Sequence, residues 1–155
     1  MPPQRRLWDA NVVLDYLSGN EKVQPDCGLI IQRAERGEVE IVVSTIAEAE
    51  VAFLPGFSAH DAESKILEFF SRNYVITAAF DSPIARIARR LIRQYRLQDP
   101  SDAVHWATAI RWQVPVLETN DSHLLDVSGK EGNPPVVTQR PTYQGTLSLF
   151  PPGTG

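Results

Sequence analysis

Cysteine occurs once in 155 residues, as Cys27, which excludes an intrachain disulfide and a multi-cysteine zinc site. No apolar run approaches the ~18 residues of a membrane span. The opening MPPQRRLWDA carries positive charge but no apolar stretch before Asp9, so no signal peptide is expected and the cytoplasm is the simplest location. Positive charge is also scarce: 15 Lys and Arg face 19 Asp and Glu, a net charge of −4. That argues against a protein held to nucleic acid by bulk charge. Any such contact must come from a local basic patch or through metal ions. What is present suits one compact domain: 43% of the residues are hydrophobic, and a globular chain of this size hides roughly 68–70% of its extended surface.

Helical and strand periodicities alternate along the chain. Residues 7–9 form a short apolar strand leading into a helix over 10–18, stopped by Gly19-Asn20. A helix over 27–36 ends at Gly37, and 39–44 (VEIVVS) is a strand rich in branched residues. Residues 45–54 read as helical until Pro55-Gly56, and 61–72 carries Ile66, Leu67, Phe69 and Phe70 at helical spacing. A strand over 74–79, helices over 83–95 and 100–112, and a strand over 115–117 follow. From Gly129 to Gly155, ten of 27 residues are Gly or Pro, so this stretch is expected to lie irregularly over the surface, apart from a strand at 136–138. Strands separated by helices imply parallel crossovers, hence an α/β domain with helices on both faces of a parallel sheet. Ligands then bind beyond the carboxyl ends of the strands. The expected organisation is one domain over 1–128, with 129–155 an extension packed on it or trailing from it.

Four acids sit where strands end or helices begin, each with an ordinary explanation. Asp9 ends the first strand, and Asn11 lies two residues on; both types cap helices. Glu48 follows Thr45 in a capping-box pattern. Glu50 lies about 200° further around the helix and is expected off any site that Glu48 joins. Asp102 opens a helix behind the cap Asp99 and Pro100, where negative charge suits the dipole. His105, one turn later, reads by itself as an ordinary core or surface histidine. Asp121 follows an apolar strand as a turn residue. Together they carry more information, because these ends can converge on one edge of a parallel sheet. Uncompensated carboxylates would repel by up to ~4 kcal/mol per close pair. A hard divalent cation with oxygen ligands, Mg²⁺ or Mn²⁺, resolves that conflict.

The segments WDANVVLDYL, STIAEAEV, DPSDAVHWATAI and ETNDSHLL, in that order, resemble the PIN-domain nucleases, especially the VapC-type toxins. The likeness runs from about Leu7 to Asp126 and is most specific between Asp102 and Asp121. It implies a three-layer α/β/α domain around a parallel sheet, with Asp9, Glu48, Asp102 and Asp121 as catalytic metal ligands and Asn11 and Thr119 as supporting polar residues. It also implies endonucleolytic cleavage of RNA leaving a 5′-phosphate, a cognate antitoxin as partner, and a homodimer. Glu118 departs from the pattern as an extra acid in an apolar strand, and either points away or tunes the metal.

The chemistry expected of such a site is hydrolysis by metal-activated water, with no serine or cysteine nucleophile. Substrate contact needs positive charge, and Arg86, Arg89, Arg90, Arg93 and Arg96 occupy eleven residues with no acid among them. The first four mark a helical face for RNA phosphates or a partner, unless it is simply solvated. Trp8, Trp106 and Trp112 are expected mostly in the core. Two other classes compete. A non-catalytic PIN-like domain binding RNA or protein would not need all four acids. An aspartyl phosphotransferase would want an acid where Asn11 stands and a well-placed lysine, of which the chain has only Lys22, Lys65 and Lys130.

Overall fold

The computed structural model describes residues 2–20 and 24–142. The elements are β1 (Gln4–Trp8), α1 (Ala10–Ser18), α2 (Gln24–Glu35), β2 (Val39–Ser44), α3 (Thr45–Glu50), α4 (Ala59–Phe70), β3 (Val75–Ala78), α5 (Ser82–Tyr95), α6 (Pro100–Trp112), β4 (Val116–Glu118), α7 (Ser122–Leu125) and β5 (Val137–Gln139). The strands form one sheet in the order β3-β2-β1-β4-β5, and every pair is parallel. Among the described residues no helix is long and apolar enough to cross a membrane.

Successive side chains of a strand point to opposite faces, and here both faces are covered. Trp8, Val39, Ile41 and Val43 join the core beneath α1, α2, α3 and α4. Leu7, Val42 and Leu117 join the core beneath α5 and α6. The result is the expected α/β/α arrangement. Double burial also explains why β2 reads as a nearly continuous apolar run. Trp8 and Trp106 are fully buried and Trp112 is partly buried, so the tryptophans are core residues.

Four local readings change. The first strand begins at Gln4, because the buried Arg6 is neutralised by Glu118 from β4 at 3.0 Å. The helix expected over 45–54 stops at Glu50. Ser122–Leu125 forms a further short helix, too brief to show helical periodicity. β5 lies one residue beyond its expected place and pairs with β4, Glu118 opposite Gln139. Residues 143–155 of the Gly/Pro-rich stretch lie outside the described residues.

The sheet positions the site. The chain winds outward from β1 through β2 to β3, then returns to the other side of β1 as β4. Connections leaving β1 and β4 diverge there, opening a crevice at their carboxyl ends.

Candidate functional site

Asp9 stands directly after β1 and caps α1, its Oδ1 accepting the Val12 N–H at 2.9 Å. The capping explanation is therefore correct but incomplete. Oδ2 accepts the Thr119 hydroxyl at 2.6 Å, and Thr119 Oγ1 accepts the Asp121 N–H at 3.0 Å. Asp121 in turn caps α7 by accepting the Leu124 N–H at 2.9 Å. One hydroxyl thus ties the ends of β1 and β4 together. Asp9 is 3% exposed. Burial pushes its carboxyl above the usual range, against the bonds from Thr119 and Val12 that stabilise the charged form.

The α6 start brings the third acid. Asp99 caps the helix by accepting the Ser101 N–H at 3.0 Å, as its sequence position predicts. Asp102, in the first turn, is half-buried, and its carboxylate makes no hydrogen bond among the described residues. Burial, followed by the charges of Asp121, Asp99 and Asp9, pushes it up to about 6. Asp9, Asp102 and Asp121 are thus close enough to feel one another, and among the described residues no Lys or Arg forms an ion pair with any of them. As they stand, no three acid, histidine or cysteine side chains among those residues lie close enough to share one ion. Asn11 is exposed.

The α3 acids do not sit as the sequence reading placed them. Ser44 is the cap, accepting the Ile46 N–H at 3.3 Å. The Thr45 hydroxyl instead accepts the Phe80 N–H at 3.0 Å, so the Thr45–Glu48 capping box does not form. Glu48 is exposed and has no hydrogen bond or ion pair among the described residues. Glu50 lies against α6, with Oε1 3.4 Å from His105 Nε2. That hydrogen bond holds its carboxyl below the usual range, with burial opposing. His105 is 2% exposed, its Nδ1 is buried without a partner, and it also draws down the pKa of Asp9 and Asp102. Of the two α3 carboxylates, Glu50 is the one joined electrostatically to the cluster.

Glu118 points away. It is fully buried on the Trp8 face, where Oε1 accepts the Trp8 indole N–H at 2.9 Å and Oε2 accepts Arg6 Nη1 at 3.0 Å. Cys27 is buried and its thiol is pushed up to about 12, first by desolvation, so it supplies no thiolate. A cavity of about 540 Å³ between α1, α2 and α4 contains none of the sequence-predicted acids.

The arginine face of α5 is real, and its members differ. Arg86, Arg89, Arg90, Arg93 and Gln94 line a shallow cavity of about 390 Å³. Arg90 is committed to Glu131 at 2.8 Å, whose other oxygen accepts the Tyr95 hydroxyl at 2.6 Å. Arg86 donates to Ser82 at 3.3 Å. Arg89 and Arg93 are exposed, with no hydrogen bond or ion pair among the described residues.

The family model described as PIN domain matches residues 7–130. No curated protein sequence matches the chain. Solved structures share the fold, among them the following three. The crystal structure of VapBC2 from Rickettsia felis bound to a DNA fragment from their promoter is 16% identical, with a TM-score of 0.65 over 88% of this chain and 98% of that one. A toxin-antitoxin complex from Klebsiella pneumoniae is 23% identical, with a TM-score of 0.57 over 86% and 96%. FitAcB from Neisseria gonorrhoeae is 20% identical, with a TM-score of 0.52 over 76% and 88%.

Proposed function

The chain belongs to the PIN domain family, and on that premise we propose that it is a metal-dependent endoribonuclease, the toxin of a toxin–antitoxin pair. One observation carries the reading: Asp102, in a crowd with Asp9 and Asp121, is raised to about 6 by burial and neighbouring acids. Such a cluster is costly unless a cation joins it. Mg²⁺ or Mn²⁺ fits because the donors are carboxylate oxygens. Asp9, Asp102 and Asp121 would hold the ion by drawing closer around it than they stand without it, with Glu50 as the α3 carboxylate in place of the Glu48 expected from the sequence. When bound, the ion lowers the pKa of a water and offsets charge on the phosphate.

The chain's own residues prepare that chemistry. Thr119 holds one oxygen of Asp9, and Val12 holds the other, fixing the carboxylate in place. His105 holds Glu50 against α6. Water attack needs no ribose 2′-hydroxyl, so RNA as substrate rests on the family resemblance. The deciding experiment incubates the protein with a mixed RNA pool in Mg²⁺, Mn²⁺ or EDTA. Cleavage with either metal and none in EDTA is expected. Intact RNA in all three, with RNA still bound, would return the chain to a non-catalytic binding domain.

The partner reading has separate support, since one structure sharing the fold is described as a toxin–antitoxin complex. A cognate antitoxin and a homodimer belong to the proposal. Arg89 and Arg93 are the α5 cations available to RNA or antitoxin. Replacing both with alanine should weaken binding of one of these ligands while moving the unfolding free energy by less than about 1 kcal/mol, because exposed charges add little stability. If RNA is the ligand, the salt dependence of affinity becomes shallower. Unchanged affinity for both ligands makes this a solvated face.

Stability separates a metal site from simple caps. Asparagine caps a helix about as well as aspartate, so Asp121→Asn removes charge and keeps the bond to Leu124. In EDTA at pH 7 its melting temperature should equal or exceed the parent's. Added Mn²⁺ should raise the parent's melting temperature by mass action and the variant's much less. pH supplies a second check. Asp102 ionises from 3.8 in the unfolded chain but at about 6 in the fold, so the native state binds the extra proton. Its contribution is present below the lower value and lost as pH rises through the upper one. Asp121→Asn should flatten that loss. A metal-insensitive parent and a clearly destabilised variant in EDTA would leave only structural caps.

A further inference from the structure

The family match ends at residue 130, but the sheet does not. β5 adds a strand beside β4, and its carboxyl end delivers Arg140 to the edge that carries the acids. The pairing sets its place: the Thr119 N–H donates to the Gln139 carbonyl at 2.9 Å, so residue 140 emerges beside Thr119 and Asn120. Arg140 Nη1 donates to Asn120 Oδ1 at 3.4 Å. Asn120 Nδ2 donates to Asp15 Oδ2 at 3.2 Å, which turns the amide oxygen toward the guanidinium. Asn120 itself lies between Thr119, bonded to Asp9, and Asp121. Two interstrand spacings separate the ends of β1 and β5, roughly 10 Å.

Arg140 is exposed, and among the described residues it forms no ion pair. A guanidinium has five N–H donors in a fork that matches phosphate, and here one is used, on a neutral amide. A polyanionic strand approaching crowded carboxylates is repelled unless a cation beside them offsets the charge. We propose that Arg140 is a substrate-binding residue that holds a phosphate of single-stranded RNA adjacent to the one at the acids, with Asn120, braced by Asp15, as its positioning residue. This rests on the nuclease reading above.

The test measures cleavage of an RNA oligonucleotide taken from the pool experiment, across a salt series, for the parent, Arg140→Ala, Arg140→Lys, Asn120→Ala and Arg111→Ala. Arg111 is an exposed arginine in the last turn of α6, at the opposite end of that helix from Asp102, and controls for the charge change. Arg140→Ala should raise KM roughly tenfold, since a charge-assisted bond to phosphate is lost, and change kcat less than about threefold. Its salt slope should fall by about 0.7, one phosphate contact on a single strand. Arg140→Lys should recover part of the loss, Asn120→Ala should shift KM in the same direction, and Arg111→Ala should match the parent. Melting temperatures should agree throughout. An Arg140→Ala enzyme with the KM and salt slope of Arg111→Ala overturns the proposal. If the parent cleaves no RNA, the nuclease reading fails separately. The same variants are then compared by fluorescence anisotropy of the oligonucleotide in EDTA, where affinity and salt slope equal to the parent's overturn the role of Arg140.

Discussion

Asp102→Asn should lower metal-dependent RNA cleavage by on the order of a hundredfold or more, while the protein stays folded. The fold gives little reason for damage, because the Asp102 carboxylate makes no hydrogen bond among the described residues and carries repulsion from Asp121, Asp99 and Asp9. Asp9→Asn should be equally inactive. Glu50→Gln should lose most activity, and Glu48→Gln should stay close to the parent. Glu50 is hydrogen-bonded to His105, whose charge is felt by Asp9 and Asp102, whereas Glu48 has no hydrogen bond or ion pair among the described residues. Initial rates under saturating Mn²⁺, with circular dichroism as the folding control, check all four variants. Full activity in Asp9→Asn would overturn the metal-site assignment, and an inactive Glu48→Gln beside an active Glu50→Gln would restore Glu48 to it.

Arg6→Met should destabilise the protein by roughly 3–5 kcal/mol, the range for removing one partner of a buried ion pair. Arg6 and Glu118 are both fully buried, so the variant strands a carboxylate whose pKa burial already raises. Glu118→Gln alone leaves the guanidinium without its counter-charge and should cost a similar amount. The double variant Arg6→Met/Glu118→Gln should recover much of the loss, because the neutral amide oxygen still accepts the Trp8 N–H. Urea denaturation midpoints measure the cycle. Additive losses in the double variant would mean that the pair is not the source of either effect.

The acids on strand ends were legible because apolar strands announce where they stop. Asp9 directly follows the apolar pair Leu7-Trp8, Asp121 comes shortly after Val116-Leu117, and the Asp99-Pro100 start located Asp102 in a first turn. The α3 acids were not legible, for a geometric reason. Ala47 and Val51 are the buried stripe of this short segment, and at 100° per residue Glu48 and Glu50 flank it symmetrically, one on each side. Helical periodicity separates the two acids but assigns neither flank a neighbour. The packing of α6 brings His105 to the Glu50 flank.

Long-range pairings were hidden in the same way. QRRLW reads too polar to begin a central strand, since the partner that neutralises Arg6 is 112 residues away. Arg140 lies in a stretch whose glycines and prolines suggest an irregular tail, and its relation to Asn120 exists only because β5 pairs with β4. By itself the sequence determined the alternation of strands and helices, the two-sided burial of the sheet and the acids at strand ends, because those follow from local periodicity and turn chemistry. Which α3 carboxylate meets His105, where Glu118 points and which α5 arginines lack a partner among the described residues were set by the fold, because each depends on a neighbour brought by sheet order and helix packing, to which local patterns are blind.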